Sequence, residues 1–267
     1  MSAAQNNAYR HWLTVACEAA EAAAALARPR WRERHTVRSK GYRDIVTETD
    51  VAMESVIITR LRDAFPQHAI TSEEAGTLNT GGGVRWLIDP LDGTTNFSRD
   101  NPNYSISIAA VEDGEPVVAV VLAPLTGQHF TAIRGGGAYL NARPIHVSET
   151  TRLDEAIFAV DSPREPALRQ QMWEHIGVML QHARTMRALG SAALNIAYVA
   201  AGWVDLYFHL SLEPWDQAAA ALLVHEAGGA RATVSGAPWT LQARDPLMAA
   251  SAALIAAYHE AMREAPR

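Results

Sequence analysis

Several things are scarce in this sequence, and each scarcity excludes something. There is one cysteine, Cys17. A lone thiol forms no internal disulfide and no cysteine-based zinc site, so a reducing, cytoplasmic setting is expected. Apolar runs such as Ile196 to Val204 fall well short of the roughly 18 residues a membrane span needs. The opening MSAAQNNAYR lacks a basic segment followed by an apolar one, so no secretory signal is expected. Excess positive charge is missing as well. The formal charge is -6, which argues against a nucleic-acid partner. Lysine is almost absent: Lys40 is the only one among 23 basic residues. A GC-rich genome accounts for the arginine and alanine bias, and it makes the one retained lysine informative.

What remains is globular. The chain has 267 residues, 48% of them apolar, enough for one large domain or two joined lobes with a junction near 145–155. Helical spacing predicts a first helix over about thirty residues, ended by Pro29, and a second starting after Asp50. Short strands are expected at 69–71 and 84–88, the latter broken at Pro90, then hairpin-linked strands at 104–111 and 116–122. The second half alternates strand and helix, with helices expected at 167–180, 191–201, 217–227 and 249–262.

The sharpest motif is Trp86-Leu87-Ile88-Asp89-Pro90-Leu91-Asp92-Gly93-Thr94-Thr95-Asn96-Phe97. An apolar strand delivers Asp89, a proline turn brings Asp92 close to it, and Gly93 permits a backbone that other residues resist. Thr94 and Thr95 suit a helix N-cap. Two carboxylates beside a helix N-terminus describe a site for a hard divalent cation together with a phosphate. A calcium EF-hand does not fit, because placing Gly93 at loop position six puts Ile88 at one and Arg99 at twelve. No Walker loop or G-x-G-x-x-G fingerprint is present. Glu73, Asp50 and Asp216 are further candidate carboxylates, although each alone reads first as a surface charge or a helix cap.

At this point the chain resembles the inositol monophosphatase family of magnesium-dependent, lithium-sensitive phosphatases. Asp89 to Phe97 is similar to the family's first signature. Trp215-Asp216-Gln217-Ala218-Ala219-Ala220 through Glu226-Ala227-Gly228-Gly229 is similar to its second. Ser72-Glu73-Glu74 resembles its metal-ligand loop, Asp44 to Asp50 its outer metal site, and Arg187 to Ala193 its substrate loop with Gly190 and Ser191. The resemblance implies an α+β fold, a layered αβαβα sandwich, and a homodimer. It implies a first Mg2+ on Glu73, Asp89 and the Leu91 carbonyl, and a second on Asp89, Asp92 and Asp216. A weaker third would sit on Glu73, with Asp50 acting through waters. Thr94 would orient the attacking water, N–H groups of Gly93 and Thr94 would grip phosphate, Asp216 would also face substrate, and Lys40 would lie near the site.

One position departs from the pattern. Members acting on inositol phosphate usually carry Glu seven residues before the second-signature aspartate; here it is His209. A histidine there packs at a strand end or alters the alcohol half of the substrate. If it charges, it would favour a substrate with a second anionic group, helped by Arg164 or Arg187. The expected activity is hydrolysis of a small phosphomonoester, with inositol monophosphate first. Fructose 1,6-bisphosphate, histidinol phosphate and nucleotide 3′-phosphates are alternatives. A non-catalytic interaction protein that keeps the fold is the alternative from another class, and such a protein should have lost carboxylates that this chain retains.

Overall fold

The computed structural model describes residues 2–42, 44–79 and 81–265. Arg43, inside the Lys40–Asp44 segment, lies outside the described residues. Seven α-helices are found among the described residues: α1 (Ala3–Arg30), α2 (Glu48–Ala64), α3 (Thr94–Phe97), α4 (Pro166–His182), α5 (Ala192–Ala200), α6 (Pro214–Glu226) and α7 (Ala252–Glu264). Strands β1 (Val37–Gly41) and β2 (Asp44–Thr47) form a separate hairpin. Eight strands make the larger sheet: β3 (Ala69–Ser72), β4 (Gly76–Asn79), β5 (Val84–Asp92), β6 (Ser105–Glu112), β7 (Glu115–Ala123), β8 (Gln128–Ile133), β9 (Ala138–Leu140) and β10 (Arg143–Ile145). Five make the smaller: β11 (Ile157–Val160), β12 (Thr185–Arg187), β13 (Leu206–Phe208), β14 (Ala230–Thr233) and β15 (Pro246–Ala249).

Three apolar clusters order these elements into layers. One joins α1 and α2 to an outer face of the larger sheet. The second packs α5 and α6 between the two sheets, and the third packs α4 and α7 against the smaller sheet. The stack is therefore helices, sheet, helices, sheet, helices, as the resemblance implies. No helix is long and apolar enough to cross a membrane among the described residues.

Two strand neighbours matter most for the site. β3 and β5 run parallel, with Ser72 opposite Ile88, so both end at the same edge. β11 runs parallel to both β12 and β13, with Val160 opposite Phe208. Residues that follow parallel strands emerge side by side, and open α/β sheets bind ligands at such carboxyl ends.

Several boundaries differ from the sequence expectation. α2 begins three residues early, because Thr47 caps it and Asp50 closes a capping box from inside the first turn. β5 does not break at Pro90; it continues to Asp92 through a bulge against β6. Thr94 and Thr95 are not caps. Gly93 precedes α3 with φ at 99°, and Thr94 is already helical. α6 starts at Pro214, so Asp216 sits inside its first turn rather than at its cap. α1 runs one residue past Pro29 before it ends. The short strand β15 ends on Ala249, where the spacing starts the last helix, and α7 begins three residues later at Ala252.

The inward face of α1 is made of small residues: Ala16, Ala19, Ala20, Ala23, Ala24 and Ala27 are all fully buried. Small side chains let α1 approach α2 and the sheet closely, and such a seam has no room for extra methylenes. Ala20→Leu is expected to cost about 1–3 kcal/mol, read as a lower urea midpoint at unchanged m-value.

Candidate active site

Parallel pairing explains how Glu73 meets the first-signature aspartates. Glu73 follows β3 directly, its N–H donates to the Ile88 carbonyl at 3.1 Å, and Asp89 is the next residue of β5. Asp89 is buried, and the Leu91 N–H donates to its Oδ1 at 3.0 Å. The bulge then turns Asp92 toward α5. Its Oδ2 accepts from the Ser191 hydroxyl at 2.5 Å and from Ala193 N–H at 2.8 Å, and its Oδ1 accepts from Ala192 N–H at 3.2 Å. Asp216 reaches the same cleft from α6, where its Oδ2 accepts from Glu213 N–H at 2.8 Å.

Glu73, Asp89, Leu91, Asp92, Gly93, Thr94, Gly190, His209 and Asp216 all line one cleft of about 1030 Å³. Two expected substrate residues do not. Ser191 is buried beneath the floor, with its hydroxyl committed to Asp92 and to the N-terminus of α5. Lys40 stands to one side, 2.9 Å from Glu73 and 2.5 Å from Glu74. Burial pulls the Lys40 ammonium down, but the two carboxylates outweigh it and hold its pKa above the ordinary value.

Asp50 lies inside the protein rather than in the cleft. Its Oδ2 accepts from the Thr47 N–H at 3.0 Å and from the Thr47 hydroxyl, and its Oδ1 accepts from the Thr94 hydroxyl at 2.9 Å. Thr94 also lies 3.1 Å from the Leu91 carbonyl. Asp50 is thus tied to Thr94 directly, with both oxygens engaged.

The electrostatics of the cleft are lopsided. Eight carboxyl and four guanidinium groups line it, a formal excess of four acidic groups. Burial, then Glu73 and the neighbouring aspartates, push Asp89 and Asp216 well above the usual carboxylate range. Burial raises Asp92 to about 6 despite its hydrogen bonds. The donor set is all carboxylate and carbonyl oxygen, which suits a hard ion such as Mg2+ and not zinc. Asp89 Oδ2 and Asp216 Oδ1 accept no hydrogen bond among the described residues, so both can face a cation. No three such side chains close on one point to form a finished cage among the described residues. Glu73 is turned to Lys40, and Asp92 to the N-terminus of α5.

Two glycines are required by close approach. A Cβ on Gly93 would lie 3.0 Å from the Gly190 carbonyl, and one on Gly190 would lie 2.8 Å from Asn96 Nδ2. Both also have positive φ, at 99° and 79°. Asn96 completes the seam by donating to the Leu189 carbonyl at 2.7 Å.

The sequence reading missed Asp161, which follows β11 as Asp89 follows the apolar part of β5. The same signal, an apolar strand running into Asp, could have found it. Its Oδ1 accepts from Gly190 N–H at 2.8 Å and its Oδ2 from Asn195 Nδ2 at 2.7 Å. Arg164 lines the cleft and pairs with Asp44 at 2.9 Å, whereas Arg187 donates to the Thr185 hydroxyl and the Met186 carbonyl and is not part of the lining among the described residues. Glu165, Ser211, Glu213 and Arg244 also line it, from loops with no motif. His209 is buried, and its Nδ1 accepts from Ser211 N–H at 3.0 Å. Desolvation lowers it to about 4, so at neutral pH the imidazole is uncharged and offers Nε2–H as a donor. The cationic histidine considered from sequence is therefore not what the fold provides.

Burial raises Asp161 from 3.8 to about 7, against the hydrogen bonds from Gly190 and Asn195. The folded carboxyl holds its proton more tightly than the unfolded one. Its contribution to stability is therefore full at acid pH and declines as pH rises from about 4 to about 7. Asn195 Oδ1 is buried with no hydrogen-bond partner among the described residues and could accept from an amide at position 161. Asp161→Asn is expected to flatten the fall of urea stability across that pH window.

Comparison with known proteins agrees with this fold. The profile described as the Inositol monophosphatase family matches residues 8–267. Inositol monophosphatase 3 of Solanum lycopersicum is 37% identical over 268 residues, covering 98% of this chain and 100% of its own. Nus factor SuhB of Escherichia coli K12 is 43% identical over 221 residues, 81% of this chain and 83% of its own. Among solved structures, the Thermotoga maritima IMPase superposes with a TM-score of 0.86 at 34% identity, covering 96% and 97% of the two chains. The extragenic suppressor protein suhB of Bartonella henselae reaches 0.91 at 30% identity, covering 96% and 100%. With this fold and these matches, the chain belongs to the inositol monophosphatase family and is a phosphatase.

Proposed function

We propose that the cleft hydrolyses a small polyol or sugar phosphomonoester with Mg2+ as its resident ion, inositol monophosphate being the first substrate to test. The observation that carries this reading is the formal excess of four acidic groups in the cleft, concentrated on mutually repelling, desolvated aspartates. A phosphate dianion cannot enter such a cleft unless cations do, and two divalent ions would neutralise it. Glu73, Asp89 and the Leu91 carbonyl would hold one, and Asp89, Asp92 and Asp216 the other. Bound there, magnesium supplies Lewis-acid activation of a water and neutralises the leaving oxygen.

The chain's own residues do the rest. With its hydrogen directed to Asp50, the Thr94 oxygen presents lone pairs to the attacking water and passes that water's proton to Asp50. The water oxygen bonds to phosphorus as the bond from phosphorus to the alcohol oxygen breaks in line, and the departing oxygen takes a proton from bulk water, offset by release of the Asp50 proton. N–H groups of Gly93 and Thr94 bind phosphate oxygens. His209, Ser211, Glu165 and Glu213 face the alcohol portion, where one imidazole donor and two carboxylates suit hydroxyl groups. The reading extends to one domain over residues 1–267, acting as a cytoplasmic homodimer, as the family resemblance implies. Bacterial relatives carry the name Nus factor SuhB, which favours as the second reading an interaction protein that keeps the fold. The complete carboxylate set supports catalysis.

The test is phosphate release from a panel of phosphomonoesters, with and without magnesium. Asp92→Asn is expected to lower kcat by about 10²-fold or more, since it removes charge from an ion acting in the transition state. Lithium at millimolar concentration is expected to inhibit uncompetitively in the same assay. Near-normal turnover by Asp92→Asn with magnesium still required would sink the assignment. For specificity, His209→Glu is expected to shift kcat/KM toward inositol phosphate by about tenfold, the scale of one polar contact. An unchanged ratio against a bisphosphate would make His209 a packing residue.

A further inference from the structure

Residues one helical turn apart share a face, and α2 carries two acids so related, Asp50 and Glu54. Asp50 reaches Thr94. Glu54 reaches the turn between β3 and β4, which bears Glu73. Its Oε1 accepts from the Ser72 hydroxyl, from Glu74 N–H at 3.1 Å and from Ala75 N–H at 3.0 Å. Glu54 is only 5% exposed and does not line the cleft. A single buried carboxylate oxygen thus gathers three donors, and such charge-assisted bonds are about twice as strong as neutral ones. The remaining N–H of the turn, on Glu73, is fixed to Ile88 in β5.

We propose that Glu54 is a positioning residue that fixes Glu73 for cation binding, so that one face of α2 sets both Thr94 and Glu73. Glu54 touches neither the cleft nor anything bound in it and acts only through the 72–75 turn. What Glu73 does once fixed rests on the metal-dependent reading above. Where Glu54 holds it does not. A purely structural role would make Glu54 one more buried anchor, and its loss would then weaken the whole fold without singling out cation affinity.

The experiment uses manganese as the probe, titrated calorimetrically into the full cation-free chain, with amide hydrogen exchange at residues 73–76 followed in parallel. Glu54→Ala leaves two N–H groups and a hydroxyl without their acceptor. It is expected to speed exchange at Glu74 and Ala75 at least tenfold and to weaken manganese binding about tenfold, the usual scale for a group that orients a ligand. Glu54→Gln keeps an acceptor oxygen and is expected to stay within about threefold of wild type. Ile57→Ala, on the same helix and fully buried, should lower Tm without changing manganese affinity. If Glu54→Ala does not fold, Ser72→Ala replaces it and is expected to weaken manganese binding about threefold through loss of one donor. Wild-type affinity in Glu54→Ala, or in Ser72→Ala where that variant is needed, overturns the proposal, as does an equal loss in Ile57→Ala. Wild-type protein that binds no manganese refutes the metal reading and, with it, the role given to Glu73. The exchange data separate that failure from a failure of the clamp.

Discussion

Concentrated negative charge is the constraint on which the rest of the structure depends. Asp89 is buried and Asp92 and Asp216 half-buried within reach of one another's fields, and desolvation with mutual repulsion raises their proton affinity. The fold offsets part of this with helix N-termini. Asp92 receives the first N–H groups of α5, and Asp216 and Asp50 lie in the first turns of α6 and α2. The positive end of a helix dipole favours a carboxylate in each case. What the N-termini leave uncompensated makes the cleft receptive to cations, and through them to phosphate.

The layered architecture serves that arrangement. β5 lies inside the larger sheet, antiparallel to β6 and parallel to β3, so its signature end is held on both sides. Ser105 and Ser107, two residues apart on β6, point to the same face. There they meet Asp92 with Ser191 and the Trp215 carbonyl, respectively. The smaller sheet brings Asp161, the Gly190 loop and His209 to the ends of three parallel-paired strands. The helices α5 and α6, packed between the sheets, present their N-termini to the same cleft from the middle layer. The site is therefore a seam between layers.

Much of this was legible in the sequence because its signals are local. An apolar strand running into Asp-Pro-Leu-Asp-Gly-Thr-Thr states a strand end, a turn and a helix start within twelve residues. The hairpin at Glu112-Asp113-Gly114, which links the strands expected at 104–111 and 116–122, follows from turn chemistry, with Asp113 and Gly114 at φ of 52° and 79°. The misread boundaries share a cause. Asp50 and Asp216 look like helix caps but are the third residues of capping boxes, and spacing alone cannot tell a cap from the acid three residues later that closes it. Pro90 looks like a strand breaker, and a bulge accommodates it.

The sequence by itself determined the residue types of the site, the strand and helix periods, and, through the two signatures, the family. Tertiary structure alone decided which distant groups meet. The parallel pairing of β3 with β5 sets Glu73 beside Asp89, and that of β11 with β12 and β13 sets Asp161 near Gly190. It also decided the state of His209, because the charge of an imidazole depends on the solvent that packing removes. Strand order and burial arise from long-range contacts between layers, and no window of neighbouring residues encodes them.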